Sequence, residues 1–297
     1  MKNSKQLVAL IVSMTIFGTV GIFSKQIPLP SGVTVMARSI IGLLFLTVMM
    51  LVMGRRPDTS AIRKNILPLI ISGVSLGANW ILFFEACKQT TVATATLSYY
   101  LAPTILVIAS AFVFKEKITK KRAVSMIVTL VGMILVSGVI GGADGVRPVG
   151  ILLGVAAAFL YATVIIFNKI LKEMNSFDKT AFQFLISAIV LVPYVLIFER
   201  VEPDAFDLGS ILGLLVIGVV HTGFAYALYF GAATVLPSST VAIYSYIDPV
   251  VSILAATLIF REPLGISGII GAVLIIGTAV VSEINTDFIF KRRGKKQ

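Results

Sequence analysis

Asp248 follows a run of forty uncharged residues, Leu208–Ile247, and His221 lies within that run. A carboxylate and an imidazole in apolar surroundings can share a proton, and a carboxylate there can hold a substrate cation. A buried Asp–His hydrogen bond that only fixes helix register is the plainer alternative. Tyr244 precedes Asp248 by four residues, so on a helix the two share a face. Arg38 and Glu85 are a second pair of charges at the edge of apolar runs, close enough in depth for an ion pair that binds, gates or merely braces. Trp80, Tyr99, Tyr100 and Tyr226 supply aromatic faces, and Asn79 and Ser245 supply neutral polar groups. Aromatic faces with a carboxylate suit an ammonium group. Pro103 and Pro249 each remove one helical hydrogen bond, which frees the carbonyls of Tyr99 and Ser245. In lipid such groups are tolerated only against protein or a water-filled cavity.

The elements that must carry these residues are apolar throughout. Of 297 residues, 57% are apolar and 13% charged, and the mean hydropathy is +0.99. Soluble chains carry about 25% charged residues. A bilayer core of about 30 Å needs about 20 apolar residues per helix. Ten spans are expected, near 7–25, 33–53, 66–86, 91–114, 122–140, 149–168, 180–198, 211–232, 238–260 and 265–283, with a turn at Pro237-Ser238-Ser239 dividing the longest run. The first run has span length and lacks the pattern of a cleaved signal. On these spans Asp248 lies near midplane, where a charge costs about 2.5–3.5 kcal/mol on the insertion scale. Asp248 and His221 fall at one depth on adjoining helices.

Lysine and arginine set the orientation. With ten spans both termini share a side, and that side holds nineteen of the 25 cations; the opposite side holds Lys25, Lys88, Arg147, Arg200 and Arg261, and Arg38 is within a span. The positive-inside rule then puts both tails in the cytoplasm of a multi-pass cell-membrane protein. The same asymmetry accounts for the net charge of +11 without a nucleic-acid partner. One cysteine and one histidine provide neither a disulfide nor a Cys/His metal site, and no cofactor motif is present.

The chain repeats itself. A shift of 146 residues aligns Gly77, Leu82, Phe84, Ala86, Thr94, Tyr100, Pro103, Ala109, Phe114 and Glu116 with Gly223, Leu228, Phe230, Ala232, Thr240, Tyr246, Pro249, Ala255, Phe260 and Glu262. A shift of 144 pairs Thr19, Val20, Ile22, Phe23 and Lys25 with Thr163, Val164, Ile166, Phe167 and Lys169. Five spans per copy is an odd number, so the second copy enters the membrane upside down. The expected fold is therefore an all-α polytopic membrane protein of ten transmembrane helices in two inverted five-helix repeats. The expected boundaries are 1–140, a connection at 141–148, a second repeat at 149–283 and a basic tail at 284–297. Inverted repeats are the architecture of secondary transporters, with the substrate site near midplane between halves.

Asn79-Trp80, Phe84 and Ala86, then Ala102-Pro103 and Phe114-Lys115-Glu116, return as Phe224-Ala225-Tyr226, Phe230 and Ala232, then Asp248-Pro249 and Phe260-Arg261-Glu262-Pro263-Leu264. In this pattern the chain resembles the EamA domains of the drug/metabolite transporter superfamily over nearly its whole length. The resemblance implies a central cavity lined by spans 1, 3, 4, 6, 8 and 9, with spans 5 and 10 peripheral. It also implies a small-molecule substrate (an amino acid, amine or drug-like compound), export more often than import, and no enzymatic step. The second copy departs by lacking the tryptophan and adding Asp248 and His221.

Three function classes compete. A secondary transporter explains the inverted repeats and the polar residues within spans. A channel filter calls for a ring or re-entrant loop, and none is visible. An enzyme needs a catalytic constellation, and no Ser/His/Asp motif, metal motif or phosphate loop occurs. Substrate, bilayer and protons are the expected partners, in a monomer or a homodimer.

Overall fold

The computed structural model describes residues 2–115, 118, 120–136, 147–171, 174–201, 205–233, 235–236, 241, 244–262 and 265–293. Every regular element among them is helical: α1 (Lys2–Gln26), α2 (Ser31–Val52), α3 (Thr59–Lys64), α4 (Ile66–Gln89), α5 (Val92–Tyr99), α6 (Ala102–Val113), α7 (Lys120–Val136), α8 (Pro148–Ile170), α9 (Ser176–Phe198), α10 (Leu208–Leu215), a π-helical stretch (Val216–Phe224), α11 (Ala225–Ala233), α12 (Ile247–Ile259) and α13 (Ile266–Arg293). Seven helical segments are long and apolar enough to cross a membrane, and Ala123–Leu135, Ile247–Ile259 and Ile266–Thr278 are shorter apolar helices at the other three expected positions. The turn at Pro237-Ser238-Ser239, Glu116, Pro263-Leu264, most of the 141–148 connection and the last four residues of the tail lie outside the described residues.

Local chemistry sets several helix ends. Asp58 caps α3 by accepting from the N–H groups of Ser60 and Ala61, and Thr91 caps α5 through the N–H of Thr94 at 3.0 Å. Pro103 sits in the first turn of α6, where its missing N–H costs nothing. The proline therefore starts a new helix instead of kinking a continuous one, and Tyr100 and Leu101 form the break. Pro249 likewise sits in the first turn of α12. The backbone after α6 and after α12 turns through the left-handed region at Lys115 (φ 55°) and Arg261 (φ 53°), two residues separated by the repeat shift of 146. That conformation is uncommon without glycine, and it recurs at equivalent positions.

The helix pairings echo one another across the chain. Helix α4 packs on α8 as α11 packs on α1; α4 packs on α9 as the π-helical stretch packs on α2; α5 and α6 pack on α8 as α12 packs on α1. Helices α2 and α9, α7 and α13, and α5 and α12 meet directly. Small residues permit the closest approaches: a Cβ on Gly154 would meet Ser98 Cβ at 2.7 Å, and one on Gly18 would meet the Asp248 carbonyl oxygen at 2.5 Å. The largest apolar cluster gathers Leu46, Leu76, Trp80, Phe84, Phe184 and Ile217 where α2, α4, α9 and the π-helical stretch converge.

Candidate functional site

A cavity of about 410 Å³ lies between the two halves of the chain, within the range of small-molecule sites. Phe17 and Gly18 of α1, Arg38 of α2, Asn79, Trp80 and Phe83 of α4, Thr96 and Tyr99 of α5, Pro103 of α6, Tyr161 of α8, Tyr226 and Tyr229 of α11, and Asp248 and Ser252 of α12 line it, with Tyr100, Ser245 and Tyr246 from the two helix breaks.

Arg38 is 3% exposed. Its guanidinium carbon lies 3.8 Å from the centre of the Trp80 ring and 5.3 Å from that of Phe84, a cation–π arrangement. Its Nε donates to the Thr222 hydroxyl at 3.1 Å. Thr222 can face it because that hydroxyl donates to the carbonyl five residues back, Ile217, at 2.8 Å, following the π-helical winding. The expected Arg38–Glu85 ion pair is not formed. Glu85 accepts from Ser31 Oγ at 3.0 Å and from Gln89 Nε2 at 2.8 Å instead, and the ion pair present among the described residues is Lys25–Glu262.

Asp248 lies in the first turn of α12, at the positive end of a broken helix that opens on the cavity. The Tyr100 hydroxyl lies next to its carboxylate. Its backbone N–H donates to the Ser245 carbonyl at 3.3 Å, so the carbonyl expected to be freed by Pro249 is satisfied within the break. His221 stands apart from Asp248. Its Nε2 is 2.9 Å from the Thr19 hydroxyl, its Nδ1 is 3.3 Å from the Val216 carbonyl, and its ring packs on Phe23 at 4.8 Å. It lines no part of the cavity. Tyr244 does not line the cavity either, and packs with Leu10, Met14 and Val241.

Aromatic rings pack against one another around the cavity. Tyr99 contacts Phe83 at 5.0 Å and Tyr161 at 5.4 Å between ring centres; Tyr100 faces Tyr246 at 6.4 Å, and Phe17 faces Tyr226 at 5.0 Å. Asn79 donates through Nδ2 to the Ala157 carbonyl at 2.6 Å, while its buried Oδ1 has no partner. Thr96 and Ser252 join hydroxyls at 2.8 Å across the two halves. No group of three metal-ligating side chains occurs among the described residues.

Beyond one end of the cavity, Lys25 Nζ donates to Glu262 Oε1 at 2.7 Å, and the Thr90 carbonyl lies 3.4 Å from the same nitrogen. Glu262 Oε2 accepts from the Ala93 N–H at 3.4 Å, and Lys25 sits 5.3 Å above the Phe260 ring. Lys169 sits 5.5 Å above the Phe114 ring, the same pair one repeat apart. Sequence reasoning aligned these four residues as repeats without assigning them a role, and that recurrence was the available signal.

The profile of one transporter family matches residues 4–138 and again residues 148–283. The chain belongs to the EamA-like transporter family. It is thus a multi-pass membrane transporter of a small molecule, as the repeated motifs implied. Among EamA relatives, the "Uncharacterized transporter YxxF" of Bacillus subtilis is 27% identical over 258 residues, covering 86% of this chain and 82% of that one. Protein PecM of Dickeya dadantii is 19% identical over 229 residues, covering 76% and 75%. Protein RarD of Salmonella typhi is 24% identical over 205 residues, covering 67% and 66%. A solved crystal structure superposes with a TM-score of 0.68 at 20% identity, covering 96% of this chain and 99% of that one, a likeness of fold.

Proposed function

We propose that this chain is a secondary carrier that exports a small metabolite by alternating access, with ten spans in two inverted five-helix halves meeting at the cavity. The helix pairings support this reading, because exchanging the halves maps α4–α8 onto α11–α1 and α4–α9 onto the π-helical stretch on α2. The left-handed pair Lys115 and Arg261 supports it as well. A cavity bounded by both halves is the observation that carries it, since rocking one half against the other changes which end is open. In this reading both termini are cytoplasmic, as the lysine and arginine bias requires, and the repeats run over 1–140 and 149–283. Lys25–Glu262 then joins the outer ends of α1 and α12 and closes the outer side, while Lys169 and Phe114 form the inner counterpart. Asp248 is the charged contact of the site, as counter-ion to a substrate amine or as the group that exchanges a proton. Export follows the resemblance to a superfamily whose members mostly move compounds outward.

The test needs no substrate. In a Cys87→Ala background, a cysteine introduced at Ser245 is labelled with a membrane-impermeant maleimide from either face of sealed vesicles. A carrier gives labelling from both faces without ion conductance in planar bilayers. Conductance through the protein supports a channel, and labelling from one face alone removes alternating access.

A further inference from the structure

We infer that His221 is a proton-binding site, set between the two halves and off the cavity, whose loading favours opening of the outer side. The inference rests on the carrier reading, assigns the exchanged proton to His221, and leaves Asp248 as the charged contact for substrate. The chain has one histidine, and imidazole is the side chain whose ordinary titration falls between about pH 5 and 8. His221 is 2% exposed and belongs to the π-helical stretch Val216–Phe224. Its Nδ1 stands 3.3 Å from the carbonyl five residues back, Val216, as the Thr222 hydroxyl bonds Ile217. Its Nε2 reaches across the halves to the Thr19 hydroxyl of α1 at 2.9 Å.

The contacts around the ring count protons. The Val216 and Ile16 carbonyls only accept, and the Thr19 hydroxyl, 2.8 Å from the Ile16 carbonyl, has one proton to give. A neutral ring protonated at Nδ1 makes the Val216 contact, and the hydroxyl must then choose between Nε2 and Ile16. A neutral ring protonated at Nε2 satisfies Thr19 and Ile16 but leaves Nδ1 facing Val216 with no proton between them. The imidazolium alone makes all three contacts. A charge at a dry interface within the membrane is costly, however, and the charged group acting on the ring is a second cation, Arg38 of α2. Helix α1 presents Thr19 and Phe23, α10 has no ionisable residue, and Tyr226 and Tyr229 of α11 line the cavity. The hydrogen bonds thus call for a proton that the dry interface resists, and water lifts that resistance. Its route is from the outer side: Thr19 lies six residues, about 9 Å, along α1 from Lys25, whose bridge to Glu262 closes that side in the carrier reading. As α1 parts from the second half, a proton from water adds to Nε2, and the new N–H donates to Thr19 or to water; closing returns the proton. Uptake and outward opening therefore favour each other. Arg38 lines the cavity and repels the charged ring, so the substrate site feels the proton without holding it.

Two measurements on the full chain test this. With ¹⁵N-histidine in nanodiscs, and no polyhistidine tag, the ring nitrogens report one residue, so their shifts read protonation and tautomer directly; the ring should titrate between about pH 5 and 8. In sealed vesicles with equal pH on both sides, external maleimide labelling of a cysteine at Ser245 in the Cys87→Ala background is timed across the same range. Each rate is divided by that of the same protein carrying His221→Gln, which cancels the pH dependence of the thiol itself. The ratio should rise on acidification, at least about threefold over the range and at most about tenfold per pH unit, the limit for one linked proton. A fold weakened by His221→Gln shifts the ratio equally at every pH and leaves its slope unchanged. A ring that stays neutral throughout, or a ratio flat with pH, overturns the inference. A pH dependence lost in Asp248→Asn and kept in His221→Gln puts the proton on Asp248 and overturns it too. Those results leave the carrier reading standing, which falls instead if the cysteine is labelled from one face alone or the protein conducts ions.

Discussion

Replacing Glu262 with glutamine tests whether the Lys25–Glu262 contact holds the cavity closed on its outer side. The substitution keeps volume and one acceptor for the Ala93 N–H, and Lys25 keeps its position over Phe260, so the charge attraction alone is removed. The side chains of Lys25 and Glu262 are 29% and 9% exposed and 2.7 Å apart. An exposed pair contributes at most about 1 kcal/mol, and a hydrogen bond to a charged group about 1.5–3 kcal/mol. A half-buried pair falls between, at about 1.4 kcal/mol, which is tenfold in an equilibrium constant. If the closed form dominates, the externally open fraction rises by that factor. External labelling of a cysteine at Ser245 in the Cys87→Ala background should therefore quicken about tenfold in Glu262→Gln and similarly in Lys25→Gln. The exchanged pair Lys25→Glu/Glu262→Lys should return toward the wild-type rate. A change below about twofold in both single variants would falsify the closure argument and leave the bridge as a brace between α1 and α12.

Three further outcomes follow from packing, sidedness and local electrostatics. Gly18→Ala places a Cβ 2.5 Å from the Asp248 carbonyl oxygen and 2.8 Å from Val251 Cβ, so it should lower the melting temperature and displace α12, whereas Gly277→Ala meets nothing within 4 Å and should be neutral or stabilising by up to about 1 kcal/mol; equal melting temperatures would remove the close-contact account. A cysteine at Val201 should react with an impermeant reagent from outside intact cells and one at Arg63 only after lysis, and the reverse pattern overturns the orientation. The exposed carboxylate of Asp207 accepts from the Ser210 N–H at 2.7 Å, which holds it below the ordinary carboxylate range. Its cap on α10 is therefore complete above the unfolded value of about 3.9 and is lost as pH falls through the lower folded value. Ser210 amide exchange should accelerate on acidification in the wild type and be faster already at neutral pH in Asp207→Ala; an exchange rate indifferent to both changes removes the cap.

The sequence by itself determined what depends on position along the membrane normal. Apolar run length marked the spans, because each helix must match one fixed hydrocarbon thickness. Duplicated Phe114-Lys115-Glu116 and Phe260-Arg261-Glu262 marked the repeat, and the turn conformations at Lys115 and Arg261 repeat with them. Aromatic residues and Asp248 were assigned to one central site, and the cavity gathers Trp80, Tyr99, Tyr100, Tyr226 and Asp248. Only the tertiary structure decided which residues at a common depth face each other. Depth is one coordinate, and the angle around each helix axis depends on how all the helices pack. Arg38 and Glu85 looked paired by depth, yet Arg38 turns to Trp80 and Thr222 while Glu85 turns to Ser31. His221 and Asp248 looked paired, yet the π-helical winding carries His221 to Thr19. Lys25 and Glu262, 237 residues apart, meet because α1 packs on α12, and no local pattern in the chain encodes that contact.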